Sequence, residues 1–174
     1  MGELFGEWIP DWWIEKVFKT INTHPEHRFY LLTKQPQNLI NFSPFPDNCW
    51  VGVTATNNSM LRRACEELDR IQAKVKYISI EPFLERIIDI GFPEHILFNK
   101  LNWVIIGAQT KPYKPPKIEW VEEIVQACDK AGVPVFLKDN LAPLMSKLKL
   151  LQVIDGQGLP RMRGDYTLRQ EIPK

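Results

Sequence analysis

The sequence is short of the residues from which small-domain function is most often read. It has three cysteines, Cys49, Cys65 and Cys128. That odd number at wide spacing excludes a CxxC metal clamp and a dense disulfide framework between neighbours. They read instead as buried small hydrophobes in a reducing compartment. Charge of one sign is not in excess either. The 22 Lys+Arg stand against 21 Asp+Glu, a formal net charge of +1, so the electrostatic footprint of a nonspecific nucleic-acid binder is missing. No apolar run approaches the roughly 20 residues of a membrane span; stretches such as WVIIGA at 103–108 are strand-sized. The opening MGELFGEWIPDWWIEK has early acids and lacks the basic start and smooth apolar core of a secretory signal. A cytoplasmic protein with no membrane partner is expected. The sequence has no P-loop, no GxGxxG and no GxSxG elbow. His24, His27 and His95 fall in turn-like segments without a cysteine or carboxylate at ligand spacing, so no metal site is expected.

What the chain does contain is an alternating pattern. Its 174 residues fit one domain. Five short runs rich in Val, Ile and aromatics stand out: RFYLL at 28–32, WVGV at 50–53, KYISI at 76–80, WVII at 103–106 and PVFL at 134–137. With little polar alternation, they read as strands covered on both faces, as in a parallel sheet. Helical spacing separates them. Residues 11–23 place Trp13, Val17 and Ile21 on one stripe, 59–71 repeat Met60, Ala64, Cys65, Leu68 and Ile71, and 118–131 repeat Ile118, Val121, Ile124, Val125 and Cys128. Asn57, Asn58 and Ser59 are all available to cap the second helix. A further short helix is expected over 141–150, and 82–101 reads as a turn, a short helix and an excursion. The fold class is α/β: βα units over 1–151, with a loop-like tail over 152–174, in a single domain. A closed eight-stranded barrel takes about 250 residues, so five strands imply a partial TIM-type barrel with an exposed first edge. Trp8 and Trp12 read as an exposed apolar patch that invites a second copy or another partner.

In parallel α/β folds ligands meet the carboxyl ends of the strands, where connecting loops gather. Each predicted strand here runs directly into polar residues: Thr33-Lys34-Gln35, Thr54-Ala55-Thr56-Asn57, Glu81-Pro82, Gln109-Thr110-Lys111 and Lys138-Asp139-Asn140. Thr33, Lys34, Thr54, Asn57, Glu81, Gln109, Lys138 and Asp139 are therefore the candidate ligand-binding residues. Bland roles compete with that reading. Thr54, Thr56 and Asn57 are natural helix caps, as are Asp139 and Asn140, and Glu81 has Lys34 or Lys138 available as an ion-pair partner. Glu81, placed directly before Pro82, is held toward extended geometry at the rim.

The series ELF, PDWWIEKVF, RFYLLTKQP, WVGVTATN, YISIEPFL, WVIIGAQT and GVPVFLKD, closed by RQEIP at 169–173, resembles the phage and prophage Gp-thirty-seven/Gp-sixty-eight protein family along nearly the whole chain. Members of that family are similar to radical S-adenosylmethionine enzymes and carry, further upstream, a cysteine-rich segment suited to a [4Fe–4S] cluster. The resemblance implies that S-adenosylmethionine and the cluster belong to the full-length family and that this chain alone holds neither. It implies that strand-end residues hold the small-molecule or macromolecular substrate, with Glu81, Lys34 and Lys138 foremost. One departure stands out: where the family commonly reads Gly-Gly-Glu-Ser, this chain has Gly107-Ala108-Gln109-Thr110, so a carboxylate is missing. Two functional expectations follow. The chain is the ligand-binding part of a radical S-adenosylmethionine-like protein, inactive without a cysteine-bearing upstream chain, or it is a non-catalytic partner-binding domain.

Overall fold

The computed structural model describes residues 3–87, 98–147 and 168–173. It contains a five-stranded, all-parallel sheet of β1 (Phe29–Thr33), β2 (Cys49–Thr54), β3 (Val75–Ile80), β4 (Trp103–Ile106) and β7 (Val135–Leu137), hydrogen-bonded in that order. A two-stranded antiparallel hairpin, β5 (Gln109–Thr110) and β6 (Tyr113–Lys114), stands apart from it. The helices are α1 (Asp11–Thr23), α2 (Asn58–Arg70) and α3 (Ile118–Ala131), with 3-10 turns over Pro36–Phe42 and Asp139–Lys147.

Parallel strands that follow one another in both sequence and sheet position are expected to carry their connecting helices on one face, because such crossovers share one hand. The packing shows this. One large core unites Leu61, Ala64 and Leu68 of α2, Val121, Ile124 and Val125 of α3, and Ile21 of α1 with Val51, Val53, Ile78, Ile80, Val104, Ile106, Val135 and Leu137 of the sheet. The opposite face has its own smaller cluster, Trp50, Val75, Tyr77 and Trp103, to which no helix among the described residues contributes. The sheet is thus apolar on both sides, which is why its strands lack alternation.

The stripe of α1 differs from its expected course. Ile14 and Ile21 are the buried positions, and Trp13 is half exposed together with Trp8 and Trp12. Phe18 explains the rotation: it stacks on Phe42 at 6.0 Å and lies 6.0 Å from Phe45, turning the Ile14–Phe18–Ile21 side toward the core. The second helix begins one residue earlier than expected, after Asn57. Of the expected tail, residues 168–173 are described. Among the described residues, Leu137 N–H donates to the Arg169 carbonyl and Glu171 N–H to that of Val135, laying the segment antiparallel along the outer side of β7. The expected excursion within 82–101, including His95, and the rest of the tail fall largely outside the described residues. The expected helix over 141–150 is seen through Lys147, as a 3-10 turn.

Candidate functional site

The carboxyl ends of β3, β4 and β7 converge on one constellation. The register pairs Ile80 with Ile106 and Ile106 with Leu137, so the next residues, Glu81, Gly107 and Lys138, stand level on three neighbouring strand ends. All three follow the helix-free side in the alternation of their strands. Glu81 and Lys138 are separated by the intervening strand, yet Lys138 Nζ lies 2.6 Å from Glu81 Oε2. The gap closes because the residue between them is glycine. A Cβ on Gly107 would sit 2.8 Å from Glu81 Oε1 and 3.0 Å from Lys138 Cδ, inside both side chains.

Asn140 completes the group. Its amide donates to the Ala108 carbonyl and accepts from Ala108 N–H, both at 3.0 Å, which fixes its rotamer; Nδ2 also reaches Glu81 Oε1 at 3.3 Å. Asn140 in turn is covered by the hairpin, because Tyr113 Oη donates to its carbonyl at 3.0 Å. Glu81 and Lys138 both keep solvent access, at 26% and 42% side-chain exposure. A pair this wet contributes only about 0–1 kcal/mol to stability. Its significance is therefore positional: a carboxylate and an ammonium held side by side at the rim, each with hydrogen-bonding capacity left over.

The remaining candidates have visible local roles. Thr33 Oγ1 donates to Glu3 Oε1 at 2.5 Å and accepts from Gln35 N–H, while Lys34 N–H donates to Glu3 Oε2 at 2.9 Å. Glu3 thus clasps the end of β1, a role that no sequence spacing signalled. Asn57 Oδ1 accepts from Met60 N–H at 2.8 Å as the cap of α2. Gln109 Nε2 closes the hairpin on the Pro112 carbonyl, and Asp139 accepts from Gln170 Nε2 at 2.8 Å, tying the tail to the rim. Thr54 is buried on the helix-free side beside Ser79. Of the eight candidates, the structure joins Glu81 and Lys138 directly. Asn140 and Gly107, which support them, were not among the eight; their adjacency to Lys138 and to the end of β4 was the signal available.

An iron–sulfur cluster requires closely spaced thiolates, and the cysteines do not fit one. Cys49 lies in β2, Cys65 in α2 and Cys128 in α3, and among the described residues no three His, Cys, Asp or Glu side chains come together as a metal site. Burial pushes the Cys49 thiol up to about 11. Burial, and to a lesser degree Glu66, pushes Cys65 up to about 12, and burial raises Cys128 as well. Thiols so placed stay protonated, the opposite of what a ligand needs. No helix among the described residues is long and apolar enough to cross a membrane.

No curated protein and no solved structure matches the chain. A family model described as a protein of unknown function (DUF5131) matches residues 1–149, and the chain belongs to that family.

Proposed function

We propose that this chain is the ligand-holding part of a phage-type cytoplasmic protein akin to the radical S-adenosylmethionine enzymes. In this reading its sheet is part of a TIM-type barrel and its strand ends bind a substrate. It starts no radical chemistry alone. The observation that carries the reading is the Glu81–Lys138 pair, set over Gly107 and braced by Asn140 at the carboxyl ends of three adjacent strands. Sequential strand order with the described helices on one face supports the barrel, since that arrangement leaves the other face for a barrel interior. The strand-end motifs that carry the phage-family resemblance lie at this rim.

Two measurements test it. Small neutral organic fragments screened against the isotope-labelled chain should shift the backbone amides of 79–81, 107–109 and 138–140; hits confined to other surfaces would overturn the ligand site. Anaerobic incubation with iron and sulfide should yield no stable cluster absorbance, because the thiols are dispersed and protonated; a cluster on this chain alone would overturn the reading that it starts no radical chemistry by itself. A second reading, a phage-derived partner-binding domain, draws on Trp8, Trp12 and Trp13, which are 69%, 52% and 50% exposed. It predicts that Trp12→Ala weakens an association that Lys138→Ala leaves intact.

A further inference from the structure

The Glu81–Lys138 pair presents a hydrogen-bond acceptor and a donor side by side. Lys138 Nζ lies 2.6 Å from Glu81 Oε2, and Asn140 Nδ2 meets the other carboxylate oxygen at 3.3 Å. Asn140 is itself locked by its two 3.0 Å hydrogen bonds to Ala108, so the carboxylate is held from both sides. These contacts do not exhaust the pair. An ammonium carries three N–H groups and a carboxylate about four lone-pair sites, and both side chains keep solvent access.

Charge selects neither sign of ligand there. Glu81 and Lys138 cancel, and Lys34 at the end of β1 is offset by Glu3, whose carboxylate accepts from Lys34 N–H at 2.9 Å. An anion would face Glu81 and a cation Lys138 at close range. What matches the pair is a neutral group with its own acceptor and donor at similar spacing. The oxygen and nitrogen of a planar amide stand about 2.2 Å apart by its bond lengths, near the 2.6 Å between Lys138 Nζ and Glu81 Oε2. Its carbonyl then accepts from Lys138 while its N–H donates to Glu81, through two nearly parallel bonds. That N–H must lie on the same side as the carbonyl oxygen, as in a primary carboxamide or a ring lactam; a trans amide points it away. Two positions earlier on the same face of β4 and β7, Ile105 and Phe136 are partly exposed and offer an apolar bed. We infer that Glu81 and Lys138 bind the carboxamide or lactam edge of a small neutral ligand whose apolar body rests on Ile105 and Phe136. The inference rests on the reading of the strand ends as a ligand site and names the ligand class for it.

The test is a titration of the whole chain with four molecules of nearly one shape, read by the backbone amide shifts of 79–81, 107–109 and 138–140. Benzamide offers one acceptor and one donor, benzoate two acceptors, benzamidine two donors, and N-methylbenzamide a donor on the wrong side. Benzamide should bind at least about tenfold tighter than each of the others. Adding 2-pyridone separates the two sources of the edge: if it outcompetes benzamide the ligand is a lactam, and if not a carboxamide, and either result supports the inference. Glu81→Ala should reverse the order in favour of benzoate, and Lys138→Met in favour of benzamidine. An order unchanged in both variants would overturn the assignment. In the unaltered chain, which decides the matter even where a variant fails to fold, so would any of the other three matching benzamide at the rim. Those results would leave the ligand-site reading standing, as would neutral fragments without an amide reaching the rim as tightly as benzamide. If amides and other fragments all miss the rim, both fail.

Discussion

Gly52 and Gly107 occupy the same kind of place at two levels of the helix-free face, and each lets a long side chain cross a strand. At Gly52 a Cβ would lie 2.2 Å from the Tyr77 ring, which passes over the glycine to donate its hydroxyl to the Leu31 carbonyl at 3.2 Å. Gly52→Ala should therefore cost about 1–3 kcal/mol by overpacking, read from urea unfolding midpoints. Tyr77→Ala added to Gly52→Ala should cost less than it does in the native background; strict additivity would show that the ring is not the obstacle. The cysteines set a second residue-scale behaviour. Cys49 and Cys65 are raised from an ordinary 9.0 to about 11 and about 12, so the folded state holds these protons where the unfolded chain releases them. The contribution of these thiols to stability should be constant below pH 9 and be lost as the pH climbs from 9 towards 11, by about 1.4 kcal/mol per pH unit for each thiol that titrates. Urea midpoints measured across that window check the sign; a midpoint that rises would contradict it.

At the scale of elements, the helices were the most legible part of the chain. The expected spans of α1 and α3 coincide with the observed ones, and α2 is displaced by one residue. Their signal is periodic over some thirteen residues and needs no knowledge of neighbours. Asn57, one of three available caps, is the one that bonds Met60 N–H. Asn57→Ala should lose about 1 kcal/mol of stability and Asn57→Asp almost none, by thermal or urea melts. The β5–β6 hairpin was not legible, because two-residue strands are too short to show alternation. It matters nonetheless through Tyr113, whose hydroxyl bonds the Asn140 carbonyl. Tyr113→Phe should leave the melting temperature within a degree or two while loosening the loop, visible as faster amide exchange at 139–141; unchanged exchange would mean that the hairpin does not brace the site.

For the molecule as a whole, the tail shows how a weakly patterned segment acquires a role. Arg169 binds Asp129 of α3 at 2.6 Å and Glu171 at 2.8 Å, and the Glu171 carbonyl accepts from Trp103 Nε1 at 2.7 Å. The same stretch supplies partners to the backbone of Val135 and Leu137, occupying the outer side of β7 that would otherwise be an open edge. Arg169→Ala should cost about 1 kcal/mol, given how exposed its acidic partners are, and should raise amide exchange at Val135 and Leu137 well above that of β2. Equal exchange in the variant would show that the tail docks without its arginine.

Strand positions, helix spans and the run of polar residues at each strand end follow from short-range patterning, because burial of a strand or a helix face leaves its mark within a few neighbours. The company each polar residue keeps does not follow from such patterns. Glu81 was compatible with Lys34 and Lys138 alike, and its partner lies 57 positions along the chain. Thr33 is held by Glu3 at a separation of 30, with nothing in either segment to announce it. Those choices were made by sheet order and register, which place Gly107 between Glu81 and Lys138 and set Thr54 level with Ser79. Register is a property of assembled strands, and a shift of one residue would send every one of these side chains to the opposite face.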